Sequence, residues 1–239
     1  MAHRALVVQH VETEGIGRFA DTLPALGVEP TVVHPYRGDE IPMLAGWDAL
    51  IVMGGPMGAY DDSDAPWLPA VRERLAEAVA ATVPTIGVCL GAQLLAVATG
   101  GRVERGDQGP EIGLGEVTVF TPDRLLEAGR VPVVQWHYDT VTELPPDGEL
   151  LASSAAYAVQ AFRVGACAWG LQFHVEAGPD LVAEWARAEY RDEAAIVDPL
   201  RAADRAIAAV GSAVAERFAS IISERITLTS RSSVPGCGQ

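Results

Sequence analysis

Cys89 stands in a sequence context that would make a thiol reactive. It lies in a Gly-x-Cys-x-Gly motif, between an apolar run that begins at Thr85 and a segment with helical apolar periodicity. Small residues on both sides permit a sharp turn from strand to helix, which leaves the thiol projecting at the carboxyl end of a sheet. The positive dipole end of the helix then favours the thiolate. The alternative is a small core residue at the end of a buried strand.

A second motif favours the reactive interpretation, because it supplies the other groups that such a nucleophile needs. The apolar strand that starts at Trp169 ends in His174, and Glu176 follows two residues later. A cysteine nucleophile needs a base that takes its proton and passes it to the leaving group, and that base needs an acceptor on its other ring nitrogen. Cys89, His174 and Glu176 fill these roles, each at the carboxyl end of a predicted strand, where α/β sheets place their sites.

The predicted elements that position these motifs alternate between strands and helices in the first part of the chain. Continuous apolar runs predict strands, and they are typical of a parallel sheet covered by helices on both faces. The expected strands cover residues 5–8, 30–33, 49–53 and the run after Pro84, and the expected helices cover residues 17–26 and 64–81.

The later part of the chain has a different pattern. Residues 111–172 contain several strands separated by turns, which favours a partly antiparallel extension over further crossover helices. Residues 178–225 are rich in alanine, with apolar residues at helical spacing. We expect these helices to pack against the sheet, and the alternative is a dimer interface or a lid over the site. Residues 227–239 are polar and rich in Ser and Gly, which predicts a flexible tail.

Three motifs together resemble those of the class I, triad-type glutamine amidotransferases. They are Met-Gly-Gly-Pro at residues 53–56, Gly-Val-Cys-Leu-Gly-Ala-Gln at residues 87–93 and Gln-Phe-His-Val-Glu at residues 172–176. The likeness covers about residues 4–185 and extends to the free-standing relatives of the glutaminase part of GMP synthase. Val175 stands where the family usually has proline, a departure that concerns only backbone shape.

The resemblance implies a flavodoxin-like α/β fold. Its central sheet would be mostly parallel, with helices on both faces, a small antiparallel extension and added C-terminal helices. We therefore expect a glutamine amidotransferase-like catalytic domain over residues 1–185, a helical extension packed on it over residues 186–226, and the tail over residues 227–239.

The resemblance also implies roles for residues around the nucleophile. The N–H groups of Gly55 and Leu90 would form the oxyanion hole, and Gln93 would contact the substrate glutamine. The family holds the α-amino and α-carboxylate groups with the segment that corresponds to residues 134–139. The residues expected to contact substrate are therefore Gly54, Gln93, Gln135, Trp136, His137 and Tyr138. His137, which has Asp139 two residues on, is the histidine that competes with His174 as the base, and we prefer His174 because its whole motif matches the family.

Other polar residues in favourable places are expected to be solvated. His10 and Glu14 follow the first strand and could line the pocket, but solvated loop residues are the expected interpretation. Asp61, Asp62 and Asp64 form an acidic cluster without a partner histidine or a regular ligand spacing. We expect a solvated loop that ends in a helix cap, and no metal ion or organic cofactor.

Composition excludes several classes of partner. With 17 basic and 32 acidic residues the chain has a net charge of −15, which argues against nucleic acid and anionic membrane surfaces. No apolar stretch approaches the roughly 18 residues that span a bilayer, and the amino terminus lacks a signal-peptide pattern. The cysteines Cys89, Cys167 and Cys237 are too few and scattered for a disulfide framework or zinc cluster. A cytoplasmic location follows as the expectation.

The expected function is a cysteine-dependent amidase that acts on the side-chain amide of glutamine or of a γ-glutamyl compound, through a thioester. We expect it to be free-standing. One alternative is a glutaminase subunit that supplies ammonia to a separate ATP-dependent synthase subunit. Another is a non-catalytic binding module on the same fold, which would not need all three residues of the triad. A cysteine hydrolase in which histidine follows the nucleophile is disfavoured, because Leu90 follows Cys89.

Overall fold

The structure, a computed structural model, describes residues 2–232, and within these the side chains of residues 2–227. The strands are β1 (His3–Val8), β2 (Val28–Val33), β3 (Ala49–Val52), β4 (Thr85–Val88), β5 (Arg102–Arg105), β6 (Glu111–Val119), β7 (Gly129–His137), β8 (Asp139–Glu143), β9 (Gly148–Ser153), β10 (Ala161–Val164) and β11 (Ala168–Leu171). The α-helices are α1 (Phe19–Ala25), α2 (Leu68–Ala80), α3 (Leu90–Ala98), α4 (Pro179–Ala188) and α5 (Glu193–Ser232).

One nine-stranded sheet, in the order β2-β1-β3-β4-β11-β10-β9-β6-β7, forms the centre of the molecule. The strands from β2 to β11 are parallel, and those beyond β11 pair antiparallel. The α/β fold with an antiparallel extension is confirmed, although the extension supplies four strands and is therefore larger than expected. Short connections explain this, since the link from β10 to β11 leaves no room for a crossover helix.

The parallel strands are buried on both faces by two apolar cores. Successive side chains of a strand point to opposite faces, so Val7 of β1 joins the core under α1 and α5, whereas Leu6 joins the core under α2 and α3. Both side chains are fully buried. This explains why these strands have continuous apolar sequences, and it leaves their carboxyl ends as the open edge on which a site can form.

Helix α2 begins at Leu68, four residues after the start predicted at Asp64. Pro66 disfavours helical backbone at the residue before it, so the chain from Gly58 onward turns instead. The Asp61 carboxylate closes this turn by accepting the Gly58 N–H at 2.7 Å. The helix has no side-chain cap, so the helix cap expected in the acidic cluster is wrong.

The C-terminal segment forms two helices that pack on the rest of the chain. Helix α5 contacts α1, α4, β6 and β7. The expected domain boundary after residue 185 falls inside α4, which ends at Ala188, and the division into a catalytic domain and a helical extension stays a prediction. Helix α5 also continues through Ser232, so residues 227–232 are helical where a flexible tail was expected. The rest of that expected tail, residues 233–239, lies outside the described residues.

Helix α5 also bears on the expectation that no segment could span a membrane. Its residues 193–227 are long and apolar enough to do so by length and composition, with a window of mean hydropathy 1.4. The sequence expectation was therefore wrong on this criterion. Of that window, 44% is buried inside the protein, and the cytoplasmic location stays a prediction.

Gly211 allows α5 to cross directly over the segment that carries His174 and Glu176. A Cβ at Gly211 would lie 2.2 Å from the Val175 carbonyl oxygen, far inside van der Waals contact. Alanine at this position would therefore have to push the helix away from the segment between the two motif residues.

We predict that Gly211→Ala destabilises the fold by about 1–3 kcal/mol, because it forces overpacking. This reverses the usual effect, since alanine in place of glycine stabilises a helix by about 1 kcal/mol. Urea unfolding of the variant checks the sign, with Ser212→Ala on the exposed face of the same helix as the control. An unfolding free energy equal to or above that of the parent chain would contradict the close approach.

Candidate active site

Cys89 occupies a strained turn between β4 and α3. Its φ of +51° and ψ of −107° lie in a region that L-residues rarely adopt. A Cβ on Gly87 would lie 2.4 Å from the Gly91 carbonyl oxygen, and a Cβ on Gly91 would lie 2.1 Å from the Val52 carbonyl oxygen. Both glycines of the motif are therefore required by close backbone approach, as the sequence predicted.

His174 and Glu176 form a buried pair next to this turn. His174 Nδ1 lies 2.8 Å from Glu176 Oε1, and the two side chains are 1% and 2% exposed. The His174 N–H donates to the Val134 carbonyl at 2.9 Å, which ties the residue to β7. Its other ring nitrogen, Nε2, is buried and makes no hydrogen bond within the described part of the chain.

The pKa of His174 records both its burial and its neighbours. Burial alone lowers this pKa, because a charged ring loses its hydration. The Glu176 carboxylate, through charge and hydrogen bonding, and the charge of the neighbouring Cys89 sulfur act in the opposite direction, and together they hold the pKa well above its usual value. The arrangement therefore favours an imidazolium beside the sulfur, the state that a thiolate nucleophile requires.

A chain of amide hydrogen bonds reaches the sulfur from the other side. Gln172 Nε2 lies 3.6 Å from Cys89 Sγ, and the thiol can donate to the Trp136 carbonyl at 3.5 Å. Gln93 Nε2 in turn donates to Gln172 Oε1 at 3.2 Å and to the Asp139 carbonyl at 3.1 Å. Gln172 was quoted in the sequence only as part of a motif, and the structure places its amide on the nucleophile.

A cleft opens over Cys89 and gathers most of the residues expected to bind substrate. Gly54 lies beside it, since a Cβ there would come within 3.6 Å of Cys89 Cβ. Asp139, which belongs to the segment 134–139 expected to hold the substrate, also lines the cleft. Glu14 was expected to be solvated, and four further lining residues were not singled out as contacts: Pro56, Met57, Arg105 and Glu189. The expected residues that line it are Cys89, Gly55, Gln93, Trp136, His137 and Tyr138.

The two residues expected to form the oxyanion hole are neighbours. A Cβ on Gly55 would lie 2.9 Å from Leu90 Cδ2, so the glycine backbone packs directly against that side chain. Leu90 is the first residue of α3, and N–H groups of a first helical turn have no partner within the helix. The oxyanion role of both residues stays a prediction, one that their positions support.

Gln135 and His137 belong to a buried polar network behind the cleft. Gln135 Nε2 donates to Gln160 Oε1 at 2.9 Å, and the Gln135 side chain does not line the cleft. The substrate contact expected at Gln135 belongs to the backbone of the segment 134–139, and it stays a prediction. His137 Nε2 lies 3.1 Å from Glu111 Oε2, and its Nδ1 lies 3.0 Å from the Asp139 carbonyl. With both ring nitrogens engaged, His137 is a poor candidate for the base, which favours His174.

Two residues expected to be solvated are not. His10 is fully buried, its Nδ1 accepts the Trp67 N–H at 3.0 Å, and burial lowers its pKa to about 4. Glu14 is partly buried and lines the cleft. The pKa of Glu14 is raised to about 7, chiefly by burial. The charge of His174 lowers this pKa, and the charges of Glu176 and Glu189 raise it. The sequence signal that both residues lie near the site was their position directly after β1, at the carboxyl edge of the sheet.

Glu189, which the sequence reasoning missed, is held at the mouth of the cleft by three donors. Trp136 Nε1 lies 2.9 Å, the Tyr138 hydroxyl 2.5 Å and Arg191 Nε 2.8 Å from its carboxylate. Burial raises the pKa of Glu189, but these donors outweigh it and lower the pKa below its usual value. Glu189 follows α4 with no motif around it, so only the folded chain identifies it.

Helix α4 supports the site from behind rather than covering it. The rings of Trp185 and His174 are 4.7 Å apart between centroids, and Trp185 Nε1 donates to the Thr13 carbonyl at 2.8 Å. This is the packing role expected for the C-terminal helices, and a dimer interface stays untested.

Among the described residues, no group of three or more His, Cys, Asp and Glu side chains is placed to hold a metal ion. In the acidic cluster, Asp62 is paired with Arg72 at 2.6 Å. The groups around Cys89 are instead those of nucleophilic acyl chemistry: a strained cysteine, a buried imidazole with its carboxylate, and N–H groups at a helix start.

The fold and this site together define a class of proteins: hydrolytic enzymes with an α/β fold and a cysteine at a strand-to-helix turn. The sequence profile of the family described as glutamine amidotransferase class-I matches residues 17–184, and the chain belongs to that family. The resemblance seen in the three motifs is thereby confirmed.

Relatives of known name include both synthases and peptidases. The chain is 36% identical over 149 residues to a GMP synthase of Porphyromonas gingivalis, covering 60% of this chain and 28% of that protein. It is 34% identical over 155 residues to a subunit of the glutamine-hydrolyzing GMP synthase of Saccharolobus solfataricus, covering 63% and 78%. It is 29% identical over 146 residues to gamma-glutamyl peptidase 4 of Arabidopsis thaliana, covering 58% and 57%. The chain thus spans only about a quarter of the length of the Porphyromonas gingivalis GMP synthase.

A solved structure shows the same fold over almost the whole chain. The crystal structure of a glutamine amidotransferase from Thermotoga maritima superposes with a TM-score of 0.83 at 27% identity, covering 92% of this chain and 99% of that one. The likeness includes the C-terminal region, since so little of either chain is left uncovered.

We predict that Glu14→Gln makes the protein more stable at alkaline pH but not at acidic pH. The Glu14 pKa is raised from 4.5 to about 7 in the fold, so the folded protein loses stability as pH rises between these values. Glutamine at position 14 removes this loss of unfolding free energy, which amounts to about 1–3 kcal/mol once screening by water in the cleft is included.

Thermal unfolding at about pH 4 and about pH 8 checks this prediction, since the two pH values bracket the shift. Glu12→Gln, in the same loop but 80% exposed, is the control. An equal stabilisation by Glu14→Gln at both pH values would show that Glu14 is not the titrating group.

Proposed function

We propose that the chain is a cysteine-dependent amidase that hydrolyses the side-chain amide of glutamine or of a γ-glutamyl compound. The observation that carries this proposal is the buried His174–Glu176 pair, whose free Nε2 and raised pKa are coupled to Cys89. A structural cysteine would need neither the strained backbone nor the imidazole beside it.

The proposed reaction has two halves. The Cys89 thiolate adds to the amide carbonyl carbon, and the N–H groups of Gly55 and Leu90 stabilise the oxyanion. The C–N bond breaks as His174 Nε2 donates its proton to the leaving nitrogen, which departs as ammonia or an amine. His174 then takes a proton from water, the resulting hydroxide breaks the thioester, and glutamate leaves with the thiol restored. Glu176 holds the ring in orientation throughout.

The substrate-binding roles remain part of the proposal. Gln93, Trp136, His137 and Tyr138 line the cleft beside the sulfur. Gly54 packs against the site, since a Cβ there would lie 2.5 Å from Glu14 Oε2 and 3.2 Å from His174 Cε1, and its contact with substrate would be made by the backbone. The α-amino and α-carboxylate groups would lie toward residues 136–138.

We further propose that the enzyme acts alone. The gamma-glutamyl peptidase among its relatives supports this. The alternative, a protein that passes ammonia to a separate synthase, is supported by the likeness to the Saccharolobus solfataricus GMP synthase subunit. A non-catalytic binding module is the weakest candidate, because the buried ion pair beside Cys89 would serve it no purpose.

We predict that Cys89→Ala abolishes turnover, with a loss of at least about 10⁴-fold, because no other group can form the acyl intermediate. His174→Ala should be nearly as damaging, and Glu176→Ala milder, since an orienting group costs less than the base it orients. Glutamate release from glutamine and from γ-glutamyl peptides measures all three.

Cys167→Ala is the matched control for this series. Cys167 Sγ lies 3.2 Å from the Thr82 carbonyl, and burial raises the pKa of its thiol, so it should not react. A glutamine-like electrophile should alkylate Cys89 in the parent chain. Labelling at Cys167 instead, or activity that survives Cys89→Ala, would refute the proposed nucleophile.

We predict that the purified chain hydrolyses a γ-glutamyl substrate without any partner protein. A subunit that feeds a synthase would gain by staying nearly silent until docking, because uncoupled hydrolysis wastes glutamine. Steady-state glutamate release with and without an added ATP-dependent synthase subunit tests this. Activity that requires the added subunit would favour the ammonia-supplying role.

A further inference from the structure

Glu14 brings an uncompensated carboxylate into the cleft. Its side chain lines the same cleft as Cys89, yet within the described residues it makes no hydrogen bond and no close ion pair. Burial, together with the nearby charges, holds its pKa near 7. A partly buried carboxylate without a donor costs free energy, which a cation brought by a ligand would offset.

The other acidic groups of the cleft already have partners. Asp139 Oδ1 lies 3.6 Å from Arg105 Nη1, and Glu189 lies 2.8 Å from Arg191 Nε in addition to its two other donors. Among the acidic side chains that line the cleft in the described part of the chain, Glu14 is therefore the one without a hydrogen bond or an ion pair of its own.

The position of Glu14 indicates which part of a substrate it would meet. A Cβ on Gly54 would lie 2.5 Å from Glu14 Oε2 and 3.2 Å from His174 Cε1, so the carboxylate and the imidazole edge face the same point. Cε1 lies between the two ring nitrogens: Nδ1, which is bonded to Glu176, and Nε2, which protonates the leaving nitrogen in the proposed reaction. Glu14 is therefore on the imidazole side of the cleft, within reach of a group carried by the departing amine, whereas the α-amino end of the substrate is expected near residues 136–138.

We propose that Glu14 is a specificity-determining residue that selects γ-glutamyl amides whose leaving amine carries a second, positively charged ammonium group. This inference rests on the proposed amidase function and names its substrate class. The carboxylate attracts the distant ammonium while the amide nitrogen lies at His174, and an uncharged leaving group gains no such attraction. The bond that breaks and the proton that moves are those of the reaction already described.

The test compares two substrates that differ in charge at one end. They are the mono-γ-glutamyl amide of 1,4-diaminobutane, which ends in an ammonium group, and the γ-glutamyl amide of n-pentylamine, which has similar length and an apolar end. The parent chain should favour the cationic amide in kcat/KM by at least about tenfold, as expected for one close charge pair in a partly solvated site.

In Glu14→Gln this preference, measured as the ratio of the two kcat/KM values, should fall to near unity, because kcat/KM falls more for the cationic amide than for the pentylamide. Glu12→Gln, whose carboxylate pairs with Arg37 at the surface, should keep the full preference. A preference that is absent from the parent chain, or that survives Glu14→Gln, overturns the proposal. Equal loss with both amides also overturns it, because that result would place Glu14 at the α-ammonium group common to both.

Binding to Cys89→Ala separates this proposal from the proposed function. In calorimetric titrations, Cys89→Ala should bind the cationic amide at least about tenfold more tightly than the pentylamide. The double variant, Cys89→Ala with Glu14→Gln, should bind both amides equally. This result together with no turnover by the parent chain would reject the amidase and keep the charge selection. Turnover of both amides with equal affinities would reject the role of Glu14 and keep the amidase.

Discussion

The backbone turn at Cys89 is the constraint on which the rest of the site depends. A residue with φ of +51° between a buried strand and a helix is tolerated only because Gly87 and Gly91 let two backbone segments approach closely. Strand β4 lies between β3 and β11 in the sheet. The glycine loop after β3 and the histidine after β11 must therefore flank the sulfur, so one local turn and the strand order together assemble the site.

Burial then determines the electrostatics of the assembled groups. His174 and Glu176 are almost completely enclosed, which would disfavour charge on either one alone. The pair and the adjacent sulfur compensate each other, so the imidazolium is favoured where it can serve as an acid. Glu14 lies in the same field, and burial raises its pKa, with a lowering by His174 and a further raising by Glu176 and Glu189. The cleft thus combines the buried His174–Glu176 pair with a carboxylate that has no hydrogen bond among the described residues.

The C-terminal helices are part of the site's support rather than an appendage. Trp185 of α4 packs on the His174 ring, Glu189 follows at the cleft mouth, and Gly211 lets α5 rest on the Val175 backbone. Family membership is shown by residues 17–184, whereas α5 lies beyond that match. Differences in substrate among class I members would accordingly be sought in such peripheral elements, and in residues such as Glu14, more than in the triad.

The sequence by itself determined the local features: the turn glycines, the Cys89 and His174 motifs, the buried parallel strands and the helical C-terminus, because each follows from spacing and side-chain type within a short window. It placed the start of α2 too early, since Pro66 outweighed the helical pattern, and it assigned His10 and Glu14 to solvent. Only the tertiary structure decided that the Gln172 amide lies against the Cys89 sulfur and that Glu14 and Glu189 line the same cleft. It also decided that His137 is bonded to Glu111 and Gln135 to Gln160. These outcomes depend on contacts between residues distant in the chain, which no local pattern encodes.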